Sequence, residues 1–389
     1  MLFKDVIGQT AIKERLMQMV QQDKIPHAQL FLGDSGVGTL PLALAFTQYV
    51  VCENKTGTDS CGQCAPCIKA GKLIHPDIHF TFPTVSGVKK SKKGKGNDDD
   101  DEKKTSKPVS ADFIEEWRKL ILAKPYASEL DWIRSITEEN KQANITADEA
   151  RTIIRNLNMT PFEAKYKIHL IWMAENLGKE GNILLKLLEE PPQNTILILV
   201  AENQEELLST IISRCQILKI PKIQDQFIKA ELIQIGVTQS KADHIAYLSD
   251  GNYYAALSLA ESETDKQIDL LNTWFEYAIY MKVPELFRWV EETSKMGREN
   301  IKSFLEYVTH LLHESMLFKL IPDYNPRLTE DEIDLCNRLN RSIIPDKLEA
   351  LLALINKKHY EIERNVNPKM VLMDMSLKIN QLVHGKAIE

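Results

Sequence analysis

The sequence predicts an α/β core with a parallel sheet covered by helices on both faces, followed by an all-helical remainder. Three observations carry that expectation. Apolar runs such as HAQLFLG (27–33), KYKIHLIWM (165–173) and TILILVA (195–201) alternate with helical stretches up to about residue 221. Strands that are apolar on both faces and separated by helices are the pattern of a buried parallel sheet. The first run leads into a glycine turn, GDSGVGTL (33–40), and then into a helical stretch, which is the strand–loop–helix context of a phosphate-binding loop. Past Pro221 the strand pattern stops and apolar residues recur at helical spacing.

In chain order, helical spacing over Ile12–Gln22 is closed by Lys24-Ile25-Pro26. The strand HAQLFLG follows, and after the glycine turn a helix is predicted over about 41–51, with Pro41 in its first turn, where a missing N–H costs nothing. HPDIHFTFP (75–83) reads as a strand. Residues 86–107, SGVKKSKKGKGNDDDDEKKTSK, form a lysine block followed by an acidic block with almost no apolar residue, and are expected to be a disordered surface loop. DFIEEWRKLILAKP is an amphipathic helix. Thr146 and Glu149 stand at capping-box spacing, predicting a helix over about 147–158. KYKIHLIWM and TILILVA are buried strands, NILLKLLEEPP a helix stopped by two prolines, and QILKIP (216–221) a further strand. Beyond it, FIKAELIQIG, KADHIAYLSDG and AALSLAES read as three short helices, and longer amphipathic helices occupy the chain from about Gln267.

The 389 residues are enough for two or three domains. Net charge is −7, which argues against a surface wholly devoted to nucleic acid but permits a local basic face. MLFKDVIGQTAIKERL is charged from the start, so no export signal is expected, and no apolar run is long enough for a membrane span.

Four of the six cysteines fall within sixteen residues: Cys52, Cys61, Cys64 and Cys67, spaced C-x8-C-x2-C-x2-C. Four thiolates at such spacing fit a tetrahedral zinc ion, and a closed four-sulfur shell makes that zinc structural. The alternatives are an iron–sulfur cluster, whose usual cysteine-proline three residues on is replaced by Ala70-Gly71, or free thiols.

The phosphate loop keeps its cradle and loses its chemistry. Gly33, Gly36 and Gly38 are in place, but Thr39 stands where the phosphate-binding lysine belongs and Leu40 where the Mg²⁺-binding hydroxyl belongs. The acidic pair expected at the end of a following strand is replaced by Trp172 and Met173 in KIHLIWMAENL, with Glu175 two residues on. Losing all of these groups should abolish hydrolysis. Ser213-Arg214-Cys215 lies between two strands, where an isolated arginine is ordinarily a surface charge.

FKDVIGQ, HAQLFLGDSGVG, the four cysteines, HPDIH, NILLKLLEEPP, TIISRC and RNVNPKMVL occur in an order and spacing that resemble the delta-prime subunits of bacterial DNA polymerase III clamp loaders, in the AAA+ superfamily. The resemblance covers nearly the whole chain. It implies an AAA+ P-loop core at 1–221 with an inserted zinc module at about 52–67, a three-helix lid at 222–264, and an all-α collar at 265–389. The related ATPase subunits keep Lys-Thr and Asp-Glu; their loss favours delta-prime. Sensor positions are likewise altered, to Ala201-Glu202 and to Tyr254.

By that resemblance Arg214 reaches in trans into a neighbouring subunit's ATP site, and the partners are ATPase subunits and a delta subunit in a hetero-pentamer. The complex acts on the sliding clamp and primer–template DNA, in the cytoplasm. No ATP is expected on this chain, with weak nucleotide binding left open. Three other readings stand beside it: an active ATPase of the same complex, a zinc-dependent nucleic-acid binder, and an architectural subunit in which Arg214 does nothing catalytic.

Overall fold

The computed structural model describes residues 1–85, 108–137, 142–261, 264–321, 324, 328–342, 345–364 and 366–384; the low-complexity stretch 86–107 lies outside the described residues. The chain divides into two units, Met1–Glu231 with Asp250–Tyr254, and Leu232–Ser249 with Ala255–Glu389.

The first unit is built on β1 (Ala28–Leu32), β2 (Ile78–Thr81), β3 (Lys167–Trp172), β4 (Thr195–Ala201) and β5 (Gln216–Lys219). They form one sheet in the order β2-β3-β4-β1-β5, and every pairing is parallel, as the double-sided apolar runs predict. β1 is flanked by β4, with Ala28 opposite Leu197, and by β5, with Gln29 opposite Gln216. Its helices are α1 (Thr10–Gln21), α2 (Thr39–Val51), α3 (Ala65–Gly71), α4 (Ile114–Ala123), α5 (Glu129–Ile136), α6 (Ala147–Asn158), α7 (Leu185–Glu189) and α8 (Ser209–Ile212).

The period-two geometry of a strand sorts side chains between two cores. Phe31, Ile168, Leu170, Trp172, Ile196, Ile198 and Val200 join the apolar residues of α2 and α4 on one face. Leu30, Leu32, Ile171, Leu197, Leu199 and Ala201 join those of α6 and α7 on the other. α2 is buried along its whole length, as expected of a helix that is apolar nearly all round.

Several elements differ from the sequence reading. NILLKLLEE is not one helix. Ala174–Leu184 is 3-10 in character, interrupted at Gly178 (φ 44°, ψ −135°), and only Leu185–Glu189 is α-helical. β5 is not buried on both faces: it is an edge strand paired to β1 alone, and its residues other than Ile217 and Leu218 are exposed. α5 adds a helix with its own capping box, in which Ser128 Oγ accepts from Asp131 N–H (3.2 Å) and Asp131 Oδ2 accepts from Ser128 N–H (3.0 Å). The box expected at α6 is only half made. Thr146 Oγ1 accepts from Glu149 N–H (3.3 Å), while the Glu149 carboxylate turns inward to accept from Thr81 Oγ1 (2.8 Å) and Ser110 N–H (2.9 Å). Tertiary partners outcompete the local one.

After β5 come α9 (Asp225–Gln234), α10 (Gln239–Leu248), α11 (Tyr253–Glu261), α12 (Thr264–Ile279), α13 (Val283–Ser294), α14 (Arg298–Leu320), α15 (Glu330–Ser342), α16 (Pro345–Glu363) and α17 (Pro368–Val383). The second unit has its own core, centred on the stacked rings of Trp274 and Trp289 (centroids 5.3 Å apart, 3° between planes) with Phe304, Leu311, Ile355 and Met375. Trp274 Nε1 donates to Ser376 Oγ at 2.8 Å, giving the buried indole its partner. Among the described residues no helix is long and apolar enough to cross a membrane.

Candidate functional site

The glycine loop leaves the C-terminal end of β1, the edge of an open α/β sheet where ligands commonly bind. Gly36 (φ +71°) and Gly38 (φ +93°) adopt left-handed backbone conformations that glycine alone enters freely. The loop is packed against residues distant in sequence. A Cβ at Gly36 would lie 1.8 Å from Asn252 Oδ1, and Tyr253 N–H donates to the Gly36 carbonyl at 3.1 Å. A Cβ at Gly38 would lie 3.1 Å from the Tyr126 ring. That ring meets Tyr253 edge-on at 5.0 Å, and its hydroxyl accepts from Ile7 N–H at 2.9 Å. Gln9 Nε2 braces the far side by donating to the carbonyls of Val37 (3.2 Å) and Pro221 (2.7 Å). Thr39 and Leu40, at the places of the missing lysine and hydroxyl, are both buried in α2. Tyr126 and Asn252 carried no motif in the sequence; they lie 88 and 214 residues from Gly38 in the chain, and only folding brings them to the loop.

Trp172 and Met173, at the lost acidic positions, are buried and supply no charge. Glu175 turns toward the end of β4, where its Oε1 accepts from the backbone N–H groups of Glu202 (2.7 Å) and Asn203 (3.1 Å). It therefore caps a strand end. Burial raises its carboxyl above the ordinary range despite those two donors. Burial likewise pushes Glu129 up to about 7, although Asn176 Nδ2 donates to it at 2.9 Å.

Cys52 at the C-terminus of α2, Cys61 and Cys64 on the following loop, and Cys67 in α3 come together, their sulfurs all within 4.8 Å of one another. A tetrahedral ion with Zn–S bonds of ~2.3 Å requires sulfur–sulfur edges of about 3.8 Å, and Cys61 Sγ lies 3.9 Å from Cys67 Sγ. Backbone N–H groups already point at the sulfurs: Cys61 N–H donates to Cys52 Sγ (3.3 Å), and Gln63 (3.5 Å) and Cys64 (3.3 Å) donate to Cys61 Sγ. Those donors lower the Cys61 thiol to about 6, whereas burial pushes Cys52 and Cys67 up. Donor set and spacing fit a thiophilic ion, and the four thiolates would complete its coordination and leave no position for a substrate. The loop also holds the start of the chain. Asp59 accepts from Phe3 N–H and Lys4 N–H, both at 3.0 Å.

Arg214 follows α8 and is partly exposed. Its Nε and Nη2 both donate to Glu189 Oε1 (2.8 and 2.5 Å), and its Nη1 donates to the Thr210 carbonyl (2.9 Å) and to Ser213 Oγ (3.2 Å). The neighbouring Cys215 thiol is pushed up to about 12 by burial and is chemically quiet.

Residues 8–224 match the protein family described as "DNA polymerase III, delta subunit". The DNA polymerase III subunit tau of Bacillus subtilis (strain 168) is 25% identical over 413 aligned positions, covering 100% of this chain and 63% of that protein. The subunit delta' of the same organism is 25% identical over 256 positions, covering 66% of this chain and 60% of that protein. The chain thus spans about three fifths of the length of these curated relatives. Among solved structures, a DNA polymerase III gamma subunit-related protein from Thermotoga maritima is 14% identical, with 97% of this chain and 100% of that chain covered and a TM-score of 0.41.

Proposed function

This chain belongs to the DNA polymerase III delta-subunit family, and from that premise we propose that it is a delta-prime-type clamp-loader subunit that hydrolyses no ATP and supplies Arg214 to a neighbouring subunit's ATP site. The observation that carries the reading is the pairing of an intact glycine turn with the loss of every charged or metal-binding group that would use it, at Thr39, Leu40, Trp172 and Met173. Two contacts support it: Tyr126 packs beside Gly38 and Asn252 beside Gly36, so the loop serves as a packing element. The chemistry then lies across an interface. An arginine donated in trans neutralises charge developing on the transferred phosphoryl group and can be worth ~10³–10⁵ in rate.

In this reading the partners are ATPase subunits and a delta subunit, in a hetero-pentamer that opens the sliding clamp and places it on primer–template DNA in the cytoplasm. The ion at Cys52, Cys61, Cys64 and Cys67 is zinc, and its role is structural. The domain roles follow the same proposal: AAA+ core over 1–221, lid over 222–264, collar over 265–389.

The test is clamp- and DNA-stimulated ATP turnover by the reconstituted loader, comparing the native chain with Arg214→Ala. Normal assembly with turnover reduced by a factor of hundreds supports donation in trans. Unchanged turnover in a fully assembled complex would leave this chain as scaffold only.

A further inference from the structure

Arg214 is held more closely than an exposed arginine ordinarily is. A guanidinium carries five N–H donors in a planar fork, and four are committed within the chain: two to Glu189 Oε1, one to the Thr210 carbonyl and one to Ser213 Oγ. The Nε/Nη2 edge belongs to Glu189, and among the described residues nothing accepts from the remaining Nη2 proton, which is the donor left for a partner. Glu189 itself stands on a fixed post. It ends α7, whose Leu187 and Leu188 are buried in the core; the Leu188 carbonyl is bonded to His27 Nε2 at 2.9 Å. The chain then continues through Glu190 to Pro191 and Pro192, whose φ angles are restricted by their rings.

We propose that Glu189 is a positioning residue for Arg214: it grips the guanidinium by its Nε/Nη2 edge and fixes the direction in which the arginine meets a neighbour's phosphate. The proposal rests on the reading of Arg214 as acting in trans and deepens it by naming what aims the arginine. Two effects of the carboxylate oppose each other. Its negative charge weakens the attraction of Arg214 for a phosphate, while its fixed placement reduces the orientational freedom the arginine must lose to act, and misplacement by about 1 Å can cost ~10²-fold in rate. If aiming dominates, removing Glu189 slows turnover; if charge masking dominates, removing it speeds turnover. An ion pair as exposed as this one contributes little to folding, so the two effects can be read in an assembled complex.

The experiment measures kcat and KM for ATP in the reconstituted loader carrying Glu189→Ala, Glu189→Gln, Glu189→Asp or Arg214→Ala, and the double variant E189A/R214A, with assembly checked by sedimentation. Glu189→Ala is expected to lower kcat about 10-fold with KM within twofold. Glu189→Gln, which keeps an acceptor oxygen in place, is expected to restore most of the loss; Glu189→Asp, one methylene shorter, is expected not to. In the Arg214→Ala background, Glu189→Ala should have no further effect. A large loss for Arg214→Ala with wild-type kcat, or a raised kcat, for Glu189→Ala overturns the positioning role and leaves donation in trans intact. Wild-type turnover for Arg214→Ala overturns donation in trans, and the positioning role with it. If Glu189→Ala fails to assemble, Glu189→Asp against Glu189→Gln decides the matter, because equal turnover for those two refutes a role in aiming.

Discussion

His169 sits in the middle of β3, on the sheet face opposite Ile168 and Leu170, and is fully buried. Burial, reinforced by the nearby His79, pushes its imidazolium down to about 3. Thr81 Oγ1 donates to Glu149 Oε1 (2.8 Å) and lies 2.9 Å from His169 Nε2. The threonine oxygen therefore accepts the Nε2 proton, which leaves Nδ1 as an acceptor with no partner among the described residues. A neutral buried histidine links stability to pH in one direction. Below about 6.5 the unfolded chain takes up a proton that the folded chain refuses until about 3, so stability is complete above that window and falls through it at about 1.4 kcal/mol per pH unit. Urea unfolding at pH 7 and pH 5 should show this fall, and His169→Gln should reduce the pH dependence by about that slope; an unaltered slope would mean that the proton is taken up elsewhere. The sequence places His169 correctly in a strand, because KIHLIW is an unmistakable apolar run. It does not say that the imidazole is neutral, since that depends on burial and on His79 of β2, nor which tautomer it adopts, since that depends on Thr81 and Glu149.

The glycine loop and α2 show the same division one level up. Strand, turn and helix were legible from glycine spacing and flanking apolar runs, and the loss of Lys, Ser/Thr and the acidic pair was legible by position. What occupies the loop's surroundings was not, because Tyr126 and Asn252 belong to segments with no phosphate-loop motif. Thr39 and Leu40 are buried in a helix with no exposed face, and a lysine placed there must desolvate its ammonium. Restoring the motif with Thr39→Lys and Leu40→Thr is therefore expected to give no MgATP binding by calorimetry. Binding by that variant would show that Tyr126 and the 250–254 segment yield to nucleotide, and that the missing groups alone silence the loop. α7 is the counter-example at this level. NILLKLLEE has helical spacing throughout, yet only Leu185–Glu189 is α-helical, and Asn182–Leu184 belong to a 3-10 segment that starts at Ala174 and is interrupted at Gly178, whose non-helical conformation no spacing of apolar residues encodes.

Across the first unit, the N-terminal segment links the cysteine knuckle to parts of the chain far from it in sequence. Asp59 caps Phe3 and Lys4, Ile7 reaches Tyr126, and Gln9 reaches Val37 and Pro221. Binding of the zinc ion proposed for the four cysteines would carry an apparent ~10–16 kcal/mol, so on that proposal its removal is felt along this chain of contacts. Chelation is expected to raise hydrogen exchange over residues 1–9 and 52–71 while α14 and α16, in a separate core, keep their protection. Unchanged exchange at 1–9 would refute the tie, and loss in α14 and α16 would show that the two units open as one. The order of elements, the parallel sheet, the cysteine cluster and the vacated phosphate motif were all written in local pattern, because periodicity and spacing are properties of neighbouring residues. The covering of the glycine loop by Tyr126 and Asn252, the inward turn of Glu149, the neutral state of His169 and the grip of Glu189 on Arg214 arise from side chains far apart in the chain. Burial and hydrogen-bond partners between such residues exist only once the backbone has brought them together, and no local pattern encodes them.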